Sequence, residues 1–566
     1  MNTTWSSPSS RARTVQRTLT ACLALLVVLI SALAGQPAAT AGAPASSRST
    51  PDLAAIDRYV ESERRATNLP GLALGIVRGD QIVHLRGFGA ADQAGRPVTP
   101  QTPFVIGSTS KSFTALAIMQ LVEAGKLELD APVQRYVPWF RVADADESAR
   151  ITVRHLLNQT SGLSRMSGNQ NLYRRNLGGD ALEREARALR TVRLARPPGT
   201  AFEYSNLNYA LLGLLVQTVT GQPYERYVHE RIFGPLGMRD SFAVIEDAQR
   251  HGLATGHQAW FSRYRPTPAD APYNRAYTPA GWLSASAADM ARYLVAQLND
   301  GRLGNTVVLS AAGIATLHRP AVKVLDLGRE TGDAYGMGWA IGPLGGVPAV
   351  WHSGSTGDFH ANIVLVPQDG WGVVVLANGE DFLRSGRIDT IATGVTSLLV
   401  GRQPPPAPFE RVALVLFAAL AVAVLQVLAI ARSAVLLRRW RAQPASTPSR
   451  APAVARRIAL PFALSLAWAL LCLAYMPRYL SIPLQQLVRT DFGAVLVASG
   501  ALVLGWGVVR AALATALVLR GRAAGQAGHL APAPSQQRTA ANARPARPPE
   551  SGAAKGAPTI SRRRYR

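Results

Sequence analysis

Between residues 52 and 408 the apolar positions follow two rhythms. Leu72–Val77 and Gln81–Arg86, joined by Arg78-Gly79-Asp80, read as the two strands of a hairpin. Ala361–Val366 and Gly372–Ala377 read as buried strands near the far end of the same region. Ser110–Ala124 and Tyr209–Thr220 carry helical spacing, and each run is closed by a glycine, Gly125 and Gly221. Strands at both ends with helices between them predict an α+β domain, a sheet carrying an α-rich insertion. No internal repeat interrupts it.

Outside this region the pattern is different. An apolar run from Leu19 to Ala34 follows Arg11, Arg13 and Arg17 and precedes Ala39-Thr40-Ala41, which predicts a cleavable export signal over residues 1–41. Leu19-Thr20-Ala21-Cys22 is no lipidation site, because the apolar run follows the cysteine when it should precede it. At the other end, a proline-rich linker over 401–411 leads into three apolar runs, 412–431, 458–476 and 493–509, of about the length that spans a bilayer. Seven arginines and no acidic residue lie between Arg432 and Arg457, against Arg478, Arg489 and Asp491 after the second run. By the positive-inside rule the first connection is cytoplasmic, and the domain at 52–400 lies outside, in the periplasm or beyond the cell membrane. Residues 520–566 are rich in Ala, Pro, Arg and Gln and are expected to form a disordered basic tail near anionic lipid.

The formal charge of +25 fits the same picture. Residues 52–408 hold 35 basic and 32 acidic residues, while residues 409–566 hold 21 and 3. The positive charge sits beside the apolar runs rather than on the folded domain, which excludes a nucleic-acid groove and makes the bilayer the partner of the basic ends. Both cysteines, Cys22 and Cys472, fall in apolar runs, so disulfides, thiolate metal sites and cysteine catalysis are excluded from the polar region. No His-Glu-x-x-His occurs, His352 and His360 lack the spacing of a helical zinc site, and no metal or cofactor is expected. His360 reads as a packed or solvated histidine. The arginines from Arg165 to Arg196 read as a solvated helix and loop, with Glu183 and Arg187 paired at i, i+4.

Chemistry enters at three places. Ser108-Thr109-Ser110-Lys111 stands where a loop becomes a helix, and the i, i+3 spacing puts a nucleophile and a base on one face. A helix N-terminus also favours the negative charge that develops when a serine attacks a carbonyl. Tyr204-Ser205-Asn206 precedes the second helix, and His352-Ser353-Gly354 precedes the last strands. Serine needs an adjacent base to act as a nucleophile at neutral pH. Lysine and tyrosine both titrate near 10 when unperturbed, so one of Lys111 and Tyr204 must be depressed to serve.

These motifs, in this order, resemble the class C branch of the serine β-lactamase and penicillin-binding-protein superfamily. His155–Leu163, Pro198-Gly199, Phe233–Met238, Ala280-Gly281 and Ser286–Met290 have the same family character. The resemblance implies a β-lactamase/transpeptidase-like antiparallel sheet flanked by helices with an α-rich subdomain, followed here by three transmembrane helices. It implies Ser108 as the acylated nucleophile, Lys111 and Tyr204 as the proton-transfer pair, and Asn206 near substrate and lysine. It also implies an oxyanion hole made by the backbone N–H groups of Ser108 and Ser355, with Gly354 in the substrate-facing strand.

The implied activity is hydrolysis of a small-molecule or peptide acyl substrate through a serine acyl-enzyme, as a peptidase or esterase. Class C β-lactamases carry a lysine where this chain has His352, and a histidine offers no permanent charge to a substrate carboxylate. That substitution favours a peptidase or esterase over a dedicated β-lactamase, and the acid limb of the rate profile is expected to include the titration of His352. The plan of leader, exported hydrolase and three helices is also similar to the colibactin-maturation peptidase group, which activates prodrugs by removing an N-acyl-D-asparagine. Asn206 departs from the serine in that group's second motif. A different class of function, a penicillin- or peptide-sensing receptor, needs acylation but no turnover.

Overall fold

A computed structural model describes residues 51–261, 263–326, 329–381, 385–406, 412–442 and 458–529. The expected leader at 1–41, the linker residues 407–411 and the tail beyond 529 lie outside them. The domain opens with helix α1 (Leu53–Ala66), capped by the Asp52 side chain, which accepts from the Ala55 nitrogen at 3.0 Å. The hairpin β1 (Gly71–Arg78) and β2 (Gln81–Gly89) follows, then α2 (Ser110–Glu123), α3 (Asn206–Thr220) and α4 (Ala287–Leu298). The chain returns through β3 (Val322–Asp326), β4 (Arg329–Tyr335), β5 (Ala340–Leu344), β6 (Val347–Ser355), β7 (His360–Val366) and β8 (Trp371–Ala377) to α5 (Ser385–Leu399). The eight strands form one antiparallel sheet in the order β2-β1-β8-β7-β6-β5-β4-β3.

Period-two alternation builds two cores from one sheet. Leu72, Leu74 and Ile76 of β1 and Val373 and Val375 of β8 face Ile56, Val60, Ile388, Ile391 and Val395, the buried stripes of α1 and α5. Ala73 and Val77, with Ile363, Leu365, Val374 and Leu376, face the larger core that holds α2, α3 and α4. Helix α2 is buried on nearly every side, from Ser110 to Met119, so it runs through the middle of the domain rather than along its surface. Helix α3 ends at Gly221, whose φ of 71° closes the left-handed cap.

Among the described residues, three helices long and apolar enough to cross a membrane follow, within Leu420–Arg441, Leu460–Tyr479 and Asp491–Arg520. A polar clasp joins them: Gln426 Nε2 and Trp468 Nε1 both donate to Ser499 Oγ, at 2.8 and 2.9 Å. The last helix continues to His529, so the first residues of the segment expected as a disordered tail are helical.

Candidate active site

Ser108 lies in a single 3₁₀ turn, Gly107–Thr109, that feeds α2. The turn is pinned from within, since Thr109 Oγ1 donates to the Ile106 carbonyl and Ser110 Oγ to the Gly107 carbonyl, each at 2.7 Å. Gly107 has a φ of 53°, and a Cβ there would stand 2.5 Å from the Ser355 nitrogen. A Cβ on Gly354 would stand 2.8 Å from the Ser108 nitrogen. The end of β6 therefore packs backbone to backbone against the turn, and the main chains of Ser108 and Ser355 converge. Only glycine at 107 and 354 permits that approach.

Lys111, the second residue of α2, is fully buried. Its Nζ lies 3.0 Å from Ser108 Oγ, 2.7 Å from Asn206 Oδ1 and 2.6 Å from the Ala280 carbonyl oxygen. The last two are acceptors only. A neutral amine gives them its two hydrogens and turns its lone pair to the serine hydroxyl. Burial holds Lys111 well below the ordinary lysine range.

Asn206 is the first residue of α3, and the loop before it is built on residues 155–163. Gln159 Oε1 accepts from the Ser205 nitrogen at 2.9 Å, and the Gln159 carbonyl accepts from the Glu203 nitrogen at 2.8 Å. Tyr209 OH donates to the Leu157 carbonyl at 2.9 Å. Tyr204 is thereby held with its ring centroid 4.8 Å from Lys111 Nζ. Burial pushes its phenol up to about 12, with the Ser108 hydroxyl and Arg165 working the other way. Of the two candidate bases, the environment depresses the lysine and keeps the tyrosine protonated.

His352 completes the wall, its ring 6.4 Å from that of Tyr204. Its Nδ1 is 2.6 Å from the Ser353 carbonyl, so that nitrogen carries the proton, and Nε2 accepts from Tyr335 OH at 3.3 Å. Burial first, and the Lys111 charge second, push His352 down to about 3. The sequence-based expectation that its titration shapes the acid limb is corrected by this burial, since the ring stays neutral throughout the neutral range.

All seven residues singled out from the sequence, Ser108, Lys111, Tyr204, Asn206, His352, Gly354 and Ser355, thus belong to one neighbourhood. A cavity of about 990 Å³ opens beside them and reaches Asn206 and Ser355, with Tyr173, Trp282, Phe359 and Arg489 among its walls.

Residues 56–396 match the family described as Beta-lactamase. The chain belongs to the beta-lactamase family. It is 34% identical over 325 residues to "Penicillin-binding protein 4" of Amycolatopsis lactamdurans, across 56% of this chain and 82% of that protein. It is 31% identical to "Protein flp" of Staphylococcus aureus strain N315, across 57% of this chain and 62% of that one. Among solved structures it resembles the octameric penicillin-binding protein homologue from Pyrococcus abyssi, with a TM-score of 0.53, 30% identity, and coverage of 63% of this chain and 79% of that one. The fold expected from the resemblance, an antiparallel sheet with flanking helices in the beta-lactamase family, is the fold observed.

Some participants had no sequence signal as site residues. Arg165, expected to be solvated, stands with Cζ 5.6 Å from the Tyr204 ring centroid, whereas Arg187 makes the expected pair with Glu183 at 2.8 Å. Tyr335 and the Ala280 carbonyl arrive from distant segments. His360 is buried between Glu380 and Asp389, at 2.7 and 2.8 Å, and fastens α5 to the sheet. Burial opposes its charge, but the two carboxylates prevail and raise it to about 10. Among the described residues no group of three or more His, Cys, Asp or Glu side chains is arranged to hold a metal ion.

Proposed function

We propose that this chain is a membrane-anchored serine hydrolase whose domain works on the outer face of a bilayer, becomes acylated at Ser108 and is freed by water. Its substrates are peptides or esters with no carboxylate required beside the scissile bond, D-amino-acid peptides among them. The observation that carries the reading is the buried amine of Lys111, 3.0 Å from Ser108 Oγ, with acceptors on its other contacts.

In the proposed reaction neutral Lys111 takes the Ser108 proton as Oγ bonds to the substrate carbonyl carbon, and the carbonyl π pair moves onto oxygen. The N–H groups of Ser108 and Ser355 receive that oxyanion. Collapse restores the carbonyl and expels the amine or alcohol. The leaving group takes the Tyr204 phenolic proton, which the Lys111 ammonium replaces. Water then attacks the acyl-enzyme, gives its proton to Lys111, and Ser108 departs carrying a proton back. Neutral His352 supports the substrate class, because it supplies no fixed cation where a substrate carboxylate would sit. The arginines between Arg432 and Arg457 support the orientation in the bilayer.

The test is intact-mass spectrometry of the full chain incubated with penicillins, D-peptides and activated esters, with steady-state product measured in parallel. The relative from A. lactamdurans is named as penicillin-binding, which makes a penicillin a fitting probe. An adduct on Ser108 with continuing turnover is expected, and none in Ser108→Ala, whose lost hydroxyl removes one hydrogen bond, to Lys111, worth about 1 kcal/mol. Labelling that persists in Ser108→Ala removes Ser108 as the nucleophile. One stable adduct without turnover replaces the hydrolase by a sensor.

A further inference from the structure

The connection between the second and third apolar helices does not hang free. It meets the domain at a short helix, Arg165–Asn169, beside the site. Asn169 Nδ2 donates to the Ser481 carbonyl at 3.1 Å, and the Asn169 carbonyl accepts from Gln486 Nε2. Gln485 Nε2 donates to the Gln170 carbonyl at 2.7 Å, and Asp491 Oδ2 accepts from the Phe261 nitrogen at 2.9 Å. Ser481 itself adopts a φ of 54°, an uncommon conformation for a serine, at the turn that presents its carbonyl.

On its other side Asn169 touches the catalytic cluster. Its Oδ1 accepts from Asn206 Nδ2 at 3.0 Å, and Asn206 Oδ1 receives Lys111 Nζ at 2.7 Å. Gly168 allows the close approach: a Cβ there would lie 2.8 Å from the Asn206 nitrogen. The polarity of the chain of amides is determined from its outer end. The Ser481 carbonyl can only accept, so the Asn169 amide must turn its NH₂ outward and its oxygen to Asn206. That oxygen in turn draws the Asn206 NH₂ and leaves the Asn206 oxygen for Lys111.

We propose that the connection Ser481–Arg489 is a positioning element of the catalytic site, which through Asn169 and Asn206 orients the acceptor that holds Lys111 against Ser108. The membrane segment is then part of the catalytic machinery and not only an anchor. Asn169 is a positioning residue, acting through Asn206. The ionisable groups that face Lys111 are Tyr204 and Tyr209, with ring centroids 4.8 and 5.6 Å from Nζ, and His352, with Arg165 behind Tyr204. None belongs to the connection, whose own charged residue, Arg489, packs on Tyr173 in the cavity wall and is left in place in the variants below.

The inference rests on the acylation chemistry proposed above for its kinetic readout, and a second readout stands apart from it. Full-length protein in nanodiscs is compared as wild type, Asn169→Ala and the double variant Gln485→Ala/Gln486→Ala. The rate of Ser108 acylation by a fluorescent penicillin or a fluorophosphonate is followed from pH 5 to 10. Asn169→Ala is expected to slow acylation about tenfold, the equivalent of one hydrogen bond, and the double variant about threefold. In both, the acid limb moves to lower pH, because the charged form of Lys111 loses an oriented acceptor. Changed melting temperature with wild-type rate and limb overturns the inference. So does an effect of Asn169→Ala that the double variant does not share. Hydrogen exchange of the peptides containing Ser108–Ser112 and Asn206–Tyr209 needs no turnover. Faster exchange in the double variant is expected, and unchanged exchange overturns the coupling even if wild type takes up no probe.

Discussion

Gly354→Ala loads the contact on which the site is built. Its new Cβ would lie 2.3 Å from the Ile106 carbonyl oxygen, 2.8 Å from the Ser108 nitrogen and 3.0 Å from the Gly107 carbonyl carbon. All three are backbone atoms that cannot rotate aside. Carbon contacts relax only near 3.5 Å, so the strand end and the turn that carries Ser108 must separate by roughly 1 Å. Neither side yields freely: Gly354 is in register with Ala361 of β7, and the turn is closed by the 2.7 Å bonds of Thr109 and Ser110. Overpacking of this kind destabilises by about 1–3 kcal/mol. A displacement of about 1 Å between a nucleophile and its oxyanion donors lowers the rate about a hundredfold, equivalent to about 2.7 kcal/mol of barrier.

The two effects are measured separately, by thermal unfolding and by the second-order rate of Ser108 acylation. Gly179→Ala is the control, because a Cβ there meets nothing within 4 Å. A Gly354→Ala variant that unfolds normally and acylates within about threefold of wild type would refute the reasoning, since the displacement would then be absorbed without moving the oxyanion donors.

The other predictions are shorter. His352→Gln is expected to leave the acid limb of the acylation rate where it is, because a histidine pushed down to about 3 is already neutral there; a limb that moves would return this residue to the titration. His360 is raised to about 10, so the stability it contributes is complete below its ordinary value near 6.5 and is lost as pH rises through 10. Unfolding at pH 7 and above pH 10 is expected to differ less in His360→Gln than in wild type. That variant also leaves Glu380 buried without its partner and is expected to destabilise by about 3 kcal/mol at pH 7. A reporter fused after Arg450 is expected to be cytoplasmic and one inserted between Arg478 and Arg489 external, from the arginine asymmetry; the reverse pattern would put Ser108 on the wrong side.

The sequence was legible where a residue's type and its local rhythm coincide with its role. Val373, Val374, Val375 and Leu376 form a continuous apolar run because each faces one of two cores, and such a run reads as a buried strand. Ser108 and Lys111 share a helix face by spacing alone. β3, β4 and β5 gave no such signal: their strands carry Lys323, Asp333, Gly342 and Pro343, at the end of the sheet whose outermost strand is β3. Ala280 fell inside a segment of recognisable family character, but the role of its carbonyl was not legible, since any residue there would supply the same oxygen. Asn169 is an ordinary polar residue in a loop-rich stretch, and its partner Ser481 lies 312 positions away. Gln159 fell inside a segment of recognisable family character, yet its part in holding the Tyr204–Asn206 loop depends on contacts 46 and 49 positions along the chain.

The electrostatics of the site follow from what burial does to unlike groups. It removes charge from Lys111 and His352, which are cations when ionised, and also from Tyr204, which is an anion when ionised. Burial thus biases all three towards their neutral forms, with Arg165 a cation at the margin of the cluster. When Lys111 takes the Ser108 proton in the proposed reaction, an ammonium and an oxyanion arise together in a space that tolerates neither alone. Each is stabilised by the other and by fixed dipoles, the Asn206 and Ala280 oxygens for the ammonium and the converging main chain of Ser108 and Ser355 for the oxyanion. A charged lysine at 352 would place an ammonium there before any oxyanion existed, opposing the later protonation of Lys111 and demanding a substrate anion to offset it. Neutral His352 removes that demand, so the charge pair needed for the reaction is made by the reaction, and the neighbouring amides from Asn206 outward have to be aligned before it begins.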